Sequence, residues 1–242
     1  RIKVRRAGAG ASSFNNEPRY ELAAYEISRL LFPADEQVVP AIALRSAPLA
    51  QFRLIDPAAV EAWRGTAATF YMVQCWLDGA KPHPLKIDAA RFAADSAYAR
   101  TISRLNVVTY LIEHKDSNRG NVMLTGEGAA VRAWAIDNGV AFDSEESDVG
   151  IFWKDLHVDA VDRALADRLR TLTLDELRAR LAVIVQYELV GDTWEPRPPG
   201  VNIDPHRGVR RRGRQLQLGL TGMEIGAVER RRVRRARRAA DR

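Results

Sequence analysis

The first part of the chain combines short apolar runs with one amphipathic segment. The opening residues, RIKVRR, have the composition of a strand. Pro18 suits the first turn of a helix, and apolar residues recur at helical spacing through RYELAAYEISRLLF until Pro33 ends the pattern. QVVPAIAL and TAATFYMVQCWL are rich in β-branched or aromatic residues and predict two strands, the second of them buried. This order predicts a small unit of mixed α+β structure over residues 1–78.

The second part of the chain is dominated by helical patterns. Asp88 is placed to cap a long helix, and the strands NVMLT and VRAWAI flank a GEG turn that predicts a hairpin. Leucines at helical spacing then predict two further helices, the second beginning with a capping box from Thr173 to Glu176. We expect residues 79–200 to form a mainly helical unit that ends in the exit linker WEPRPPGVNIDP.

Charge divides the chain unevenly. The net charge is +6, yet residues 207–242 hold 13 arginines against three acidic residues, so the rest of the chain is acidic on balance. A block of like charge is typical of a solvated appendage, and we expect residues 201–242 to be a basic, disordered tail. The alternative is that residues 207–242 bind nucleic acid or an anionic surface. No aromatic residue interleaves these arginines, so base stacking is not supported.

Cysteine content and hydropathy limit the compartment. Cys75 is the single cysteine, which excludes an intramolecular disulfide, and its apolar neighbours predict that the thiol is buried. No apolar run is long enough for a membrane span. We therefore expect a cytoplasmic protein. Because the chain begins with Arg1 inside a predicted strand, we also expect it to be a fragment.

Three oxygen-donor residues mark the candidate chemistry. EHKDSNRGNVML places Asp116 and Asn121 after the long helix, and AWAIDNGVAF places Asp137 after the hairpin. Carboxylate and amide oxygens suit a hard cation such as Mg²⁺ or Mn²⁺, and the spacing matches a protein-kinase catalytic loop followed by its metal-binding aspartate. In phosphoryl transfer, Asp116 would orient and deprotonate the attacking hydroxyl, while Asn121 and Asp137 would bind the metal. Alternatively, both segments are ordinary hydrophilic turns.

The same residues resemble a group of atypical kinases. HKDSNRGNVML followed by AIDNGVAF resembles the Golgi casein kinase family, the type II phosphatidylinositol 4-kinases and the HipA toxin kinases, which share Asp-Asn-Gly at the metal motif. YELAAYEISRLL followed by VVP is similar to a helix and the segment after it in the Golgi casein kinase family. The resemblance covers residues 1–160 and implies a bilobal protein-kinase-like fold, with a truncated small N-lobe and a mainly helical C-lobe.

The resemblance also implies two residues of the small lobe. Lys3 stands where the phosphate-binding lysine belongs, and Glu21 stands where a helix glutamate pairs with it or reaches the metal. Alternatively, Lys3 is an ordinary solvated strand residue. Helical periodicity alone favours Glu26 over Glu21 for the inward position, whereas the motif aligns with Glu21.

ATP is the implied cofactor, together with the divalent cation. The strand end MVQCWL resembles the segment that joins the two lobes, where main-chain groups of Gln74, Cys75 and Trp76 would bind adenine, although the whole strand is also compatible with plain core. His114 matches the histidine of the kinase loop, and we expect it to hold the loop backbone rather than to exchange protons.

The sequence therefore predicts an ATP-dependent kinase that phosphorylates a hydroxyl of a protein or lipid. The resemblance implies a glycine-rich loop upstream of the lysine, whereas the glycine cluster AGAGA follows Lys3, so activity requires that an upstream segment supply the loop. Two alternatives remain: a pseudokinase-like module that binds nucleotide without turnover, and a nucleic-acid-associated protein that acts through its basic tail.

Overall fold

The computed structural model describes residues 2–6, 17–63, 65–142, 157–158 and 160–240, with residues 2–6 and 238–240 described by their backbone alone. The α-helices of these ranges are α1 (Pro18–Leu31), α2 (Leu49–Phe52), α3 (Ala89–Ala94), α4 (Ser96–Ile112), α5 (Arg163–Thr171), α6 (Leu174–Leu181) and α7 (Gly222–Ala240). The strands are β1 (Ile2–Arg6), β2 (Ile42–Pro48), β3 (Ala68–Cys75), β4 (Lys81–Pro82), β5 (Val122–Thr125), β6 (Arg132–Ala135), β7 (Val185–Val190), β8 (Thr193–Arg197), β9 (Val209–Arg212) and β10 (Gln215–Leu218). Within the described ranges, no helix is both long and apolar enough to cross a bilayer.

The first sheet is antiparallel, with the strand order β1-β3-β2. Lys3 in β1 and Ile42 in β2 both pair with Gln74 in the central strand. The strand predicted over QVVPAIAL begins later than expected. Strand β2 starts at Ile42 rather than at Gln37. Pro40 has no amide hydrogen to donate to a strand ladder, which accounts for the later start.

Helix α1 lies between two hydrophobic cores. It begins at Pro18, as predicted, and ends at Leu31, because Pro33 follows. Ala23 and Ile27 are buried in the larger core together with α4, whereas Leu22 is buried in the smaller core against the first sheet. The helix therefore packs into both cores at once.

A second sheet, with the order β8-β7-β10-β9, packs on the first. Tyr187 of β7 lies at this interface: its ring centroid is 4.9 Å from that of Phe70, and its hydroxyl donates to the Leu44 carbonyl at 2.7 Å. The exit linker expected over residues 194–205 is wrong, because β8 occupies its first residues. Pro196 of β8 is compatible with a strand, because β8 forms the edge of its sheet.

Helix α4 is the centre of the larger core. The single long helix expected after Asp88 is in fact two helices, because Asp95 ends α3 and caps α4 by accepting hydrogen bonds from the amides of Ala97 and Tyr98 at 3.0 Å each. Side chains on every face of α4 are buried, including Ile102, Leu105, Val108 and Leu111. Burial on all sides fits a helix that is surrounded by the rest of the domain.

The hairpin and the two later helices are confirmed. Strands β5 and β6 pair antiparallel, with Val122 opposite Ala135. Helix α6 begins with the predicted capping box, in which Thr173 and Glu176 each bond the other's main-chain amide. These elements rest on local signals that the sequence carries by itself.

The predicted disorder of the basic segment over residues 201–242 is wrong. Strands β9 and β10 and helix α7 lie in it, and α7 packs on α4, α5 and α6. In the described part of this segment, four arginines are buried, and each donates to a main-chain carbonyl: Arg210 to Leu220, Arg231 to Leu111, Arg232 to Leu169, and Arg235 to Val158. A guanidinium group carries five N–H donors and no acceptor, so it can satisfy several carbonyls at once. Composition predicts that these arginines are solvated, whereas in the fold they are buried and bonded to carbonyls.

Candidate functional site

Helix α1 is bonded directly to the Asp-Asn-Gly segment. Glu21 is fully buried, and its Oε2 accepts hydrogen bonds from the main-chain amide of Asn138 at 3.1 Å and from Asn138 Nδ2 at 3.3 Å. At the start of the helix, the amide of Glu17 donates to the Gly139 carbonyl at 2.9 Å. The glutamate that the kinase resemblance selects is therefore the inward one.

Glu26 lies on the other side of the same helix. It accepts a hydrogen bond from Arg29 at 2.9 Å and forms an ion pair with Arg180 of α6. The periodicity argument for an inward Glu26 is therefore wrong. Its physical reason is that a buried carboxylate needs donors, and those donors come from Asn138, a distant part of the chain that periodicity does not register.

The sharp turn at the metal motif is made by its aspartate. Asp137 has φ 58° and ψ 51°, in the left-handed region, and precedes the 3₁₀ turn Asn138–Val140. Aspartate is among the few non-glycine residues that adopt this conformation readily. The left-handed residue of this segment is therefore Asp137 and not Gly139.

Asn121 holds Asp116 in the loop after α4. Asn121 Nδ2 donates to Asp116 Oδ2 at 2.7 Å and to the Asp116 carbonyl at 3.0 Å. Asn118 Nδ2 donates to the other carboxylate oxygen at 2.7 Å. Asp116 is exposed whereas Asn121 is buried, so the loop presents an oriented carboxylate to solvent. The amide nitrogen of Asn121 is used inside the loop, and its amide oxygen is the atom that a hard cation would bind.

The β5–β6 hairpin brings this loop to the metal motif. The amide of Ile136 donates to the Asn121 carbonyl at 2.9 Å, beyond the last pair of the ladder, Val122 with Ala135. Asn121 and Asp137 therefore lie at the same end of the hairpin. The structure thus brings together the loop, the Asp-Asn-Gly segment and the glutamate of α1.

His114 fixes the backbone between these elements, as expected. Its buried ring contacts Ser117 Oγ through Nδ1 at 2.8 Å and the Ile136 carbonyl through Nε2 at 3.2 Å. Burial lowers the pKa of His114, and the Ile136 carbonyl and the charges of Asp116 and Asp137 oppose this only in part. The two contacts hold the ring between the loop and the residue before Asp137, which is the bracing role expected of His114.

A cavity of about 190 Å³ opens beside the metal motif. Its lining residues are Pro40, Gln74, Cys75, Trp76, Leu77, Ala80, Met123 and Ile136. All three residues predicted to contact adenine line it, and Ile136 directly precedes Asp137. Its volume is below the roughly 300–1,000 Å³ of pockets that enclose a whole drug-sized ligand.

Cys75 and Trp76 lie at the end of β3 and are more exposed than a buried strand predicts. Cys75 is exposed, not buried, because β3 ends at this residue and the cavity begins there. Its amide donates to the Ala41 carbonyl at 2.9 Å and is not available as a donor to a ligand. Trp76 follows the strand and is 49% exposed. Of the three residues expected to contact adenine through the main chain, Cys75 therefore has its amide already bonded within the fold.

The backbone of Lys3 lies next to a residue that lines the cavity. Its backbone pairs with Gln74, which lines the cavity, while its side chain lies outside the described part of the chain. The glycine cluster AGAGA also lies outside the described residues.

The donor set fits a hard divalent cation. No group of three His, Cys, Asp or Glu side chains with metal-binding geometry occurs among the described residues, so a cation here would depend on amide oxygens and on the ligand's own phosphates. Asn138 Oδ1, next to Asp137 in the chain, is buried and receives no hydrogen bond from any residue that the structure describes. An unsatisfied buried oxygen is costly, and a nearby cation would remove that cost. Asn121 and Asp137 supply only oxygen donors, which favours Mg²⁺ or Mn²⁺ over softer metals.

No protein-family model matches the chain, and no curated protein matches it in sequence. Among solved structures, hydra Fam20 with sugar is 14% identical, with a TM-score of 0.55 over 99% of this chain and 77% of its own. The Golgi casein kinase is 13% identical, with a TM-score of 0.55 over 99% of this chain and 65% of its own. The same kinase with Mn and ADP bound gives 13% identity and a TM-score of 0.53 over 98% of this chain and 66% of its own. The chain has the fold of these atypical kinases.

This fold confirms the recognition made from the sequence, although the chain spans only about two thirds of the length of the two Golgi casein kinase structures. Within the atypical kinase fold, sequence reasoning missed the role of Asn138 as the partner of Glu21 and that of Ser117 as the partner of His114. Both lie inside motifs that were recognised. The signal was their position in these motifs, since an isolated polar residue in a turn has no other distinguishing mark.

Proposed function

We propose that the chain is an atypical kinase-like phosphotransferase that moves the terminal phosphoryl group of ATP to a hydroxyl acceptor. The kinase fold supports the reaction class. The single observation that carries the proposal is the double role of Asn121, which holds the Asp116 carboxylate with its side chain and the residue before Asp137 with its carbonyl. A proton acceptor and a metal-binding carboxylate are thereby kept at one end of one hairpin.

In this proposal the molecule is bilobal. The first sheet and α1 form a small lobe, the helices around α4 form a larger lobe, and the nucleotide lies between them with its base in the cavity. The location of the cavity, between the end of β3 and the residue before the metal motif, supports this arrangement. The complex of the Golgi casein kinase with Mn and ADP supports the choice of a nucleotide and a divalent cation.

Each residue has a defined task in this proposal. Asn121 and Asp137 would hold the cation, which would supply neutralisation of phosphate charge. Glu21 fixes the metal motif through Asn138, and Lys3 contacts the phosphates.

Asp116 receives the proton of the acceptor hydroxyl as the acceptor oxygen bonds to phosphorus and the bond to ADP breaks. The carboxylate is exposed and held by two side-chain amides, so it faces an incoming acceptor. The acceptor is a hydroxyl of a protein or lipid.

The test uses titration of Mn²⁺ and ADP by calorimetry, together with turnover of ATP. Asp137→Asn should weaken Mn-dependent ADP binding, because it removes the charge that binds the metal. Asp116→Asn should leave that binding intact and lower kcat by about 10²-fold or more, since general-base catalysis contributes roughly 10²–10⁴. Asp192→Asn, an exposed aspartate in the turn after β7, serves as the control and should change neither quantity.

Two results would count against the proposal. Turnover by Asp116→Asn equal to that of the unmodified chain would remove the proton-accepting role. Tight Mn-dependent ADP binding with no transfer to any hydroxyl would instead identify a pseudokinase-like binding module.

A further inference from the structure

The residue between α4 and the catalytic loop has an unusual conformation. Glu113 ends the helix with φ 52° and ψ 63°, in the left-handed region, and is fully buried. Helices often end in this conformation, but usually with glycine or asparagine, because other side chains are strained there. A buried glutamate is thus a poor choice for the helix end itself, which indicates that its carboxylate has a separate role.

That carboxylate is bound by the C-terminal helix. Arg231 Nη2 of α7 donates to Glu113 Oε2 at 2.6 Å, and the two side chains are 1% and 0% exposed. Arg231 Nη1 also donates to the carbonyl of Leu111 at 3.1 Å, one of the last carbonyls of α4 that the helix leaves unbonded. The other carboxylate oxygen of Glu113 lies 4.0 Å from Lys115 Nζ. The arginine therefore holds the end of α4 and, through Glu113, the residue that leads into the loop.

Helix α7 is itself fixed at other points, so it can act as a rigid support. Near its start, Glu224 bonds Arg19 Nη1 and the Tyr20 hydroxyl of α1 at 2.7 Å each. One turn beyond Arg231, Arg235 donates to Asn106 Oδ1 of α4 at 2.9 Å. The same helix thus joins α1, which carries the inward glutamate, to the end of α4.

We propose that Arg231 is a positioning residue for the catalytic loop: through Glu113 it sets the direction in which the loop leaves α4, and hence the place of Asp116. The proposal rests on the kinase-like function proposed above. A buried ion pair is often no more stabilising than two apolar side chains of the same volume, so stability alone does not explain the pair. A directional bond on a strained residue next to the loop does explain it.

The experiment removes the pair without leaving a buried charge. The double variant Glu113→Gly with Arg231→Met in the full chain replaces the left-handed glutamate by the residue that suits this conformation, and the arginine by an apolar chain. The matched control is Asn106→Leu with Arg235→Met, which removes a buried contact between the same two helices about one turn along α7. Hydrogen exchange over residues 114–121, the Kd for Mn and ADP, and kcat for ATP turnover are measured for each.

The expected result separates positioning from folding. In the Glu113→Gly and Arg231→Met variant, exchange over residues 114–121 should rise and kcat should fall by about ten- to a hundredfold, since a misplacement of about 1 Å can cost about 10²-fold. The Kd for Mn and ADP should stay within about twofold, and the control pair should match the unmodified chain in exchange and kcat. The single substitution Arg231→Lys, which keeps the positive charge beside Glu113, should lower kcat less than the double variant does.

Unchanged loop exchange and kcat in the double variant would overturn the proposal, as would an equal loss in the control. If the unmodified chain neither binds Mn and ADP nor turns over ATP, the proposed function fails, and the exchange measurement alone then decides whether Arg231 orders the loop.

Discussion

Glu224→Ala tests the junction that joins α7 to α1. Glu224 Oε2 accepts from Arg19 Nη1 and from the Thr221 amide, and Oε1 accepts from the Tyr20 hydroxyl, each at 2.7 Å. The side chains of Arg19 and Glu224 are 10% and 14% exposed. The substitution leaves Arg19 charged in a mostly buried place, with Glu17, the Tyr20 hydroxyl and the Gly219 carbonyl as its remaining acceptors.

The expected loss in the free energy of unfolding is about 2–4 kcal/mol. Breaking a fully buried ion pair costs roughly 3–5 kcal/mol, and each hydrogen bond to a charged group contributes roughly 1.5–3 kcal/mol. The partial exposure of the pair and the remaining acceptors of Arg19 place the value below the sum of these contributions. With a urea m-value of about 3 kcal/mol/M for a chain of this size, the unfolding midpoint should fall by about 1 M.

Urea unfolding followed by tryptophan fluorescence measures this shift. The matched control is Glu195→Ala, which removes one of the two exposed carboxylates bound by Arg197. The side chain of Glu195 is 46% exposed and that of Arg197 is 38% exposed. Exposed pairs contribute about 0–1 kcal/mol, so the control midpoint should hardly move. A shift for Glu224→Ala no larger than that of the control would refute the argument that this junction is a buried, stabilising network.

The same junction has a defined pH dependence. Burial pushes the pKa of Glu224 up, but the hydrogen bond and charge of Arg19, with the bonds from Thr221 and Tyr20, hold it below its ordinary value of 4.5. A carboxylate with a lowered folded pKa contributes stability above the unfolded pKa and loses it as the pH falls through the folded one. The difference in the free energy of unfolding between the unmodified chain and Glu224→Ala should therefore be largest near neutral pH and shrink below about pH 4.5.

Two further substitutions test other parts of the fold. Burial lowers the pKa of His83 to about 4, and its Nδ1 accepts the Leu85 amide at 2.9 Å, so stability should fall as the pH drops from about 6.5 towards 4. His83→Gln should flatten the urea midpoint against pH over that range, and an unchanged slope would contradict the assignment. At Gly219, an added Cβ would meet the Ala182 carbonyl, which is backbone and has little room to move. Gly219→Ala should therefore cost about 1–3 kcal/mol in urea unfolding. Gly191→Ala, at a turn with open space, should lose only what its left-handed backbone imposes, and a loss at Gly219 no larger than this would contradict the crowding argument.

The predicted elements that are correct rest on short-range signals. Pro18 at the first turn of α1, the capping box at Thr173, and the hairpin around its glycine turn all depend on residues within a few positions of one another. The contact between Asn121 and Asp116 is also short-range, because both residues lie within one loop. Such signals survive in a single sequence, since the partners are neighbours along the chain.

The features that are wrong depend on partners far along the chain. Burial of Arg210 becomes favourable only when it meets the carbonyls of Ala182 and Leu220, and Glu21 is inward only because Asn138 donates to it. Composition counts a run of arginines as solvated charge and periodicity counts a glutamate as surface, because neither includes the distant donor or acceptor. Long-range polar satisfaction is thus the information that the linear pattern lacks.

These long-range bonds also change how the basic segment relates to the candidate site. If its arginines were a solvated appendage, removing residues 207–242 would leave the site intact. Instead, Glu224 bonds the helix that carries Glu21, and Arg231 bonds the residue that leads into the loop of Asp116. The distance between an inward glutamate and a loop carboxylate therefore depends on one helix that follows both in the chain. A site assembled in this way requires its C-terminal helix for geometry, whatever its exposed arginines bind.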